Sequence, residues 1–268
     1  MKTLIYIIKE HITWRSQIIK LAKADIIKTY SGAAFSWAWA FVKPLIMTMV
    51  LWFAFSIGLR LGHPVEGYPF ILWLIAGLFP WFYMSDMISG GAGCIRKYSY
   101  LVTKMKFPVS TIPTFVGLSN IALHIVLILI LIIIYTLSGY IPDIYLLQVP
   151  IYMFLMLMFF IVWGLFSSML SAISKDFLNL VKAFNTAIFW LSGIMWDINE
   201  IPVPWLQKAL MFNPVTFLAT GYRNCFVYKV WIWEQPFAFG CFAIVFFVLI
   251  LCAIWAYKKL IKDIPDVL

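Results

Sequence analysis

Few residues in this 268-residue chain have the type and spacing that catalysis or metal binding requires. No two of its four cysteines have CxxC spacing and its three histidines lie far apart, so we expect no metal site, no catalytic group and no disulfide framework. Asp197 and Glu200 are a close pair of acids between two apolar segments, and no histidine lies near them in the sequence. A membrane-embedded enzyme that transfers sugar to a lipid is therefore only an alternative interpretation.

The sequence also lacks the phosphate-binding loop GxxxxGK[ST] of nucleotide-hydrolysing proteins. Its glycine cluster, Gly90-Gly91-Ala92-Gly93, contains no lysine and follows a helical rather than a strand-like pattern. We interpret this cluster as a flexible helix end. No cofactor is expected in this chain.

The composition indicates that helices in a membrane must position these residues. Hydrophobic residues make up 64% of the chain and charged residues 12%, whereas a soluble domain has about 25% charged residues. So few charges cannot cover a globule of this size, which excludes a soluble enzyme, and the high hydrophobicity excludes disorder. We predict an all-α polytopic membrane protein, because backbone groups in lipid must pair within helices.

Six apolar segments approach or exceed the roughly 20 residues that cross a bilayer. The predicted spans are 34–58, 70–92, 112–137, 149–173, 179–196 and 237–257, of which the fifth is the shortest. They form a single transmembrane domain, 33–268. Residues 1–32 carry basic side chains opposite Trp14, Ile18 and Leu21, a pattern that predicts an amphipathic helix at the cytoplasmic interface. Asp25 falls on the same face as these apolar residues.

The distribution of lysine and arginine predicts the topology. If both termini are cytoplasmic, the cytoplasmic segments hold 15 of the 20 basic residues and the outer segments hold four. This is a strong positive-inside bias. It also explains the net charge of +9 without nucleic acid as a partner.

Residues 201–222 are too apolar for a solvated loop. Two stretches of about 10 residues, 203–212 and 215–222, flank Asn213-Pro214, and each is too short to cross the membrane. We predict a re-entrant helical hairpin between spans 5 and 6, which acts as a gate. The gate residues are Asp197, Glu200, Asn213, Pro214, Tyr222 and Arg223, of which Arg223 forms either a structural salt bridge or a contact with a phosphate of the cargo.

Four stretches, in order along nearly the whole chain, carry a family resemblance. They are LAKADIIKTYSGAAFSWAWAFVKPL, PWFYMSDMISGGAGCIRKYSYLVTKMKFPVSTIP, SAISKDFLNLVKAFNTAIFWLSGIMWDINEIP and NPVTFLATGYRNCF. Together they resemble the ABC transporter type-2 permeases, most closely the Wzm- and TarG-like exporters of O-antigen, capsule or teichoic acid. Ser31-Gly32 stands where we expect Leu-Gly, and Lys175-Asp176 stands where this family often has Arg-Asp.

The resemblance implies the permease subunit of an ATP-driven exporter in the bacterial inner membrane. It implies a homodimer, a dimer of separate nucleotide-binding subunits that hold ATP and Mg, and a polyprenyl-diphosphate-linked glycan as cargo. Membrane lipid is the remaining partner. A type-2 permease for a small drug, lipid or haem is the alternative within the same class.

A glycan conduit favours aromatic side chains, because their rings match the apolar faces of sugars and their polar tips reach the hydroxyls. Asp86 is an acid within a span, and we expect it to line the conduit, pair with Lys43 or lie at the cytoplasmic interface. The predicted conduit residues are Trp37, Phe41, Trp52, Phe55, Phe79, Phe82, Tyr83, Asp86, Phe189, Trp190 and Trp196.

The contact with the ATPase is expected in the loop 94–111, where the resemblance implies a coupling helix, and in the nearby turn 174–182. Its predicted residues are Tyr100, Lys104, Phe107, Pro108, Lys175 and Asp176.

Overall fold

The computed structural model describes residues 2–30, 38–105 and 107–268, and helices dominate all three ranges. The α-helices are α1 (Lys2–Thr13), α2 (Arg15–Tyr30), α3 (Trp39–Trp52), α4 (Phe70–Asp86), α5 (Ala92–Lys97), α6 (Ser99–Thr103), α7 (Ile112–Leu137), α8 (Val149–Ile173), α9 (Lys175–Leu191), α10 (Pro204–Leu210), α11 (Pro214–Arg223), α12 (Pro236–Leu260) and α13 (Ile264–Val267). A π-helical turn, Met87–Gly91, joins α4 to α5, and another, Phe53–Gly58, extends α3. The predicted all-α class is confirmed for the described residues.

Within the described ranges, five continuous helical segments are long and apolar enough to cross a membrane. They are Trp39–Gly58, Phe70–Lys97, Val109–Leu137, Ile144–Ile173 and Pro236–Leu260, and each coincides with a predicted span. The helix at the predicted fifth span, α9, has 17 residues and is not among the five. The chain is thus a multi-pass membrane protein, and the sixth crossing stays a prediction.

The N-terminal segment forms two helices where the sequence predicted one over 1–32. The division falls at Trp14, whose ring packs edge-on against Phe107 with 5.1 Å between ring centroids. Ile18, Ala22 and Asp25 form the buried face of α2, as the apolar pattern of the sequence indicates. Residues 31–37, which include the predicted boundary of this helix, lie outside the described residues.

The helix α4 lies at the centre of the bundle, and most of its residues are buried. It packs against α3, α7 and α11. The helix α9 runs antiparallel along α4: Asn185 Nδ2 donates to Ser85 Oγ at 2.8 Å, and the Phe189 and Trp81 ring centroids are 5.3 Å apart.

The predicted cytoplasmic segments meet at one end of the bundle. His11 Nε2 lies 2.7 Å from Thr114 Oγ1, which attaches α1 to the start of α7. Glu10 accepts hydrogen bonds from Ser110 and, at 3.1 Å, from Tyr257 at the end of α12. We call this the inner end and the opposite one the outer end.

Candidate functional site

The predicted re-entrant segment contains two short helices, α10 and α11, separated at Asn213-Pro214. Asn213 caps α11, because its Oδ1 accepts a hydrogen bond from the Val215 amide at 3.0 Å. Its Nδ2 donates to Ser192 Oγ at 2.7 Å, so the same side chain ties α11 to the end of α9. Pro214 takes the first helical position, where its missing amide proton costs no hydrogen bond.

The Arg223 side chain is buried at the outer end, with 2% of the residue exposed. Nη1 donates to the Gly193 carbonyl at 2.6 Å and Nη2 to the Ile194 carbonyl at 2.5 Å. The guanidinium carbon lies 3.5 Å from the centroid of the Trp73 ring, in a cation–π arrangement. Arg223 therefore clamps three elements together: α11, the turn after α9 and α4.

Gly77 on α4 provides the space for this clamp. A Cβ atom at this position would lie 2.7 Å from Nη2 of Arg223 and 2.8 Å from its guanidinium carbon. Within the described ranges, no carboxylate oxygen lies within 4.0 Å of this guanidinium. Backbone carbonyls therefore hold Arg223 where the sequence suggested a salt bridge, and a contact with a cargo phosphate stays a prediction.

Asp197 belongs to a hydrogen-bonded chain beside the clamp. Trp73 Nε1 donates to the Tyr228 hydroxyl at 2.7 Å, and that hydroxyl donates to Asp197 Oδ2 at 2.5 Å. Glu200 is exposed, and Asp197 is half-buried. The two acids therefore have different surroundings, which does not favour a shared role as a catalytic pair.

Tyr222, the remaining gate residue, points into the bundle. Its hydroxyl lies 2.7 Å from His124 Nε2, and both side chains are buried. The segment is thus anchored through Asn213, Tyr222 and Arg223 to three different partners.

Three of the predicted conduit residues line one cavity of about 900 Å³ between α3, α4 and α7: Phe82, Tyr83 and Asp86. Lys43 lines the same cavity, and the described residues show no ion pair within 4.0 Å between it and Asp86. Asp86 thus faces this cavity, and its role in a conduit stays a prediction.

The other predicted conduit residues lie on several surfaces. Phe41 and Trp52 are half-buried on α3, Phe55 stacks on Phe70 at 6.3 Å between centroids, and Phe79 is buried in α4. At the end of α9, Phe189 is buried, Trp190 is exposed and Trp196 donates Nε1 to the Trp190 carbonyl at 2.9 Å. Trp37 lies outside the described residues. One copy of the chain therefore does not gather these residues around a single conduit.

Polar side chains form an exposed stripe along α9. Lys175, Asn179, Lys182 and Thr186 are all exposed, and their spacing of four, three and four residues puts them on one helix face. Trp190 continues the line of this stripe toward the outer end. Such a stripe is costly against lipid and is typical of a helix that faces water or another protein surface.

The predicted coupling residues lie at the inner end, with different exposures. Tyr100, Lys104, Lys175 and Asp176 are exposed. Phe107 is buried against Trp14, and Pro108 is half-buried. The first four are therefore available to a partner, whereas Phe107 fixes the loop to the N-terminal helices.

The role of Asp25 was not predicted. This buried carboxylate accepts a hydrogen bond from the Tyr98 hydroxyl and forms an ion pair with Lys97 at 3.2 Å. Burial, and then the adjacent Asp25, raise the pKa of Tyr98 above its ordinary value, so the hydroxyl stays protonated and donates. The signal in the sequence was an acid on the apolar face of an amphipathic helix.

Comparisons with a family model and with individual proteins agree with each other. The sequence profile of the family "ABC-2 type transporter" matches residues 16–227. An O-antigen export system permease protein RfbA of Myxococcus xanthus is 22% identical over 224 residues, which cover 83% of this chain and 85% of the relative. Two proteins of the same name from Klebsiella pneumoniae are 23% and 21% identical over 215 residues, which cover 78% of this chain and 80% of each relative.

Proposed function

The chain belongs to the family of ABC-2 type transporters, and from this premise we propose that it is the permease subunit of a polysaccharide exporter. Its cargo is a polymer of the O-antigen type, carried on a polyprenyl diphosphate, and its place is the bacterial inner membrane. The observation that carries this proposal is the similarity, over about four-fifths of the chain, to relatives named as O-antigen export permeases.

A separate nucleotide-binding subunit supplies the energy. The inner end offers four exposed residues in two segments that follow different spans: Tyr100 and Lys104 in and after α6, and Lys175 and Asp176 at the start of α9. Closure of an ATPase dimer beneath these segments pushes them, and the spans that they connect move with them. The 15 basic residues of the inner segments support a cytoplasmic position for this end and for both termini.

The conduit forms between two copies of the chain. The exposed stripe of α9 carries lysine, asparagine and threonine, which would lose their hydrogen bonds to water if they faced lipid. A second copy that places its α9 opposite this stripe encloses a polar path across the membrane. Exposed Trp190, near the outer end of the path, offers a ring face to a sugar.

The antiparallel contacts between α9 and α4 support the sixth crossing. They extend from Ser85 to the carbonyls of Gly193 and Ile194, which the Arg223 clamp holds beside Trp73 near the outer start of α4. A helix that begins at the inner end and reaches these carbonyls covers the length of the bundle. An even number of crossings then leaves both termini on one side.

The proposal is tested by deleting the gene and restoring it on a plasmid. We expect surface polysaccharide to disappear in the deletion strain, lipid-linked polymer to accumulate inside, and the intact gene to restore export. Unchanged surface polysaccharide in the deletion strain would contradict the proposal. Loss of resistance to a hydrophobic drug, with polysaccharide intact, would instead favour the permease for small molecules.

A further inference from the structure

A small cavity at the outer end is lined by several tyrosines and a lysine. Its volume is about 280 Å³, and we call it the outer pocket. Tyrosines from three places in the chain and one lysine contribute to its wall: Tyr68, Tyr135, Tyr140 and Lys229. It lies within one copy of the chain, at the ends of spans, apart from the α9 stripe and from the cavity that contains Asp86.

The rings of the outer pocket are held in fixed positions. Tyr68 and Tyr140 stack with 4.4 Å between centroids, and the Tyr135 centroid is 6.0 Å from that of Tyr68. Tyr140 donates its hydroxyl proton to the Gly67 carbonyl and Tyr135 to the Leu72 carbonyl, each at 2.9 Å. These bonds fix the rings before any ligand binds, which lowers the entropy cost of binding.

Lys229 and Asp143 place an ion pair at the pocket. Their side chains meet at 2.7 Å and are 27% and 37% exposed. Lys229 has φ of 54°, a left-handed conformation that is unfavourable for a residue with a long side chain. Strained backbone of this kind persists where the surroundings hold it, and it is concentrated at ligand-binding positions. Lys229 thus presents ammonium donors at the pocket wall, and the carboxylate acceptors of Asp143 lie directly behind it, next to the lining residue Pro142.

The aromatic surface continues next to the ion pair. Tyr145, two residues after Asp143, has its ring centroid 4.9 Å from that of Trp231. Trp231 in turn stacks on Trp233 at 4.6 Å, with only 10° between the ring planes, and Trp233 is 64% exposed. An open ring face thus lies beside the pocket, two to four residues along the chain from Lys229.

We propose that the outer pocket binds one pyranose unit of the outgoing polysaccharide and that the Trp231–Trp233 pair holds a neighbouring unit. Tyrosine rings contact the apolar C–H face of the sugar, and Lys229 and Asp143 share hydrogen bonds with its hydroxyls. A neutral sugar fits better than a phosphate headgroup, since Asp143 already neutralises the ammonium group. The inference rests on the proposed function and assigns it an exit site in each copy.

The test uses the full chain in lipid nanodiscs and measures sugar binding by NMR saturation transfer. The ligands are glucose, galactose and mannose, each as the monosaccharide and as a trisaccharide. We expect saturable binding of at least one trisaccharide with a Kd of roughly 1–10 mM. Lys229→Asn, which tolerates the left-handed conformation, should weaken it about tenfold. Trp233→Ala changes an exposed side chain and leaves the fold intact. It should weaken binding of the trisaccharide but not of the monosaccharide.

The control is Phe237→Leu, which alters another exposed ring at the outer end that does not line the pocket. No saturable binding of any of the three trisaccharides, or equal binding by Lys229→Asn, Trp233→Ala and the unaltered chain, would overturn the inference. These results leave the export function in place if the deletion strain still loses its surface polysaccharide. An unchanged surface in that strain would instead count against the proposed function itself.

Discussion

Replacing Arg223 with methionine should loosen the outer end of the bundle. The substitution keeps a long side chain against Trp73 but removes both donors from the Gly193 and Ile194 carbonyls. These carbonyls lie at the end of α9, and the rest of the clamp offers them no other donor from the described side chains. The expected result is a less stable protein whose hairpin separates from α9 at lower temperature.

The magnitude follows from the hydrogen bonds lost. A bond from a charged donor contributes about 1.5–3 kcal/mol, and each carbonyl left buried without a partner costs about 1–3 kcal/mol. Methionine offsets part of this loss, since a buried charge no longer has to be desolvated. We expect a net loss of about 3 kcal/mol, which lowers the unfolding temperature by about 6–12 °C.

A thiol-reactive fluorophore measures this effect during heating. The assay uses proteins in which Cys94, Cys241 and Cys252 are replaced by serine, so that Cys225, two residues from Arg223, is the labelled thiol. Cys225 is fully buried and reacts only when its surroundings open. Lys208→Met is the matched control, because Lys208 is exposed on α10 of the same hairpin. Arg223→Lys should give an intermediate loss, since an ammonium group cannot bridge two carbonyls in the planar geometry of a guanidinium.

An Arg223→Met protein with the unfolding temperature and labelling rate of the Lys208→Met control would refute this reasoning. It would mean that the two carbonyls find other donors, such as water, at no net cost.

Three further predictions concern other parts of the chain. Gly77→Ala should lower the unfolding temperature measured by the same thermal labelling, because the new methyl group displaces the buried guanidinium; an unaltered value would contradict the clamp geometry. Asp25→Leu removes the acceptor of the Tyr98 hydroxyl and should cost about 2 kcal/mol, with faster deuterium exchange in α2, while Asp25→Asn should cost less. Thr186→Cys should react with a water-soluble maleimide at least about ten times faster than Phe184→Cys, which lies on an exposed apolar side of α9; equal rates would argue against a polar path.

Apolar segment length predicted five of the long helices closely, because crossing a bilayer constrains length and composition more than any specific contact does, and the sixth span stays a prediction. The break between two short helices at Asn213-Pro214 was predicted, since proline cannot continue a helix, whereas a re-entrant hairpin stays a prediction. The division of the N-terminal segment at Trp14 was missed. At this division Trp14 contacts Phe107, more than 90 residues away, and no local pattern contains such a contact.

The Arg223 clamp could not be predicted for a related reason. Its partners are main-chain carbonyls, which every residue carries, and their selection depends on how α9 and α11 meet. The prediction of the conduit residues is limited in the same way. The periodicity of a span shows which residues share a face, but not which face meets a second copy.

The central position of α4 has a mechanical consequence. A helix enclosed on nearly all sides cannot tilt without opening the surrounding packing, so α4 is the rigid centre of the subunit. The helix α3 lies at the edge of the bundle, packs mainly against α4 and leaves most of its surface uncovered. Motion that begins at the inner end therefore meets its least resistance at α3, which can tilt as a rigid body while α4 stays in place.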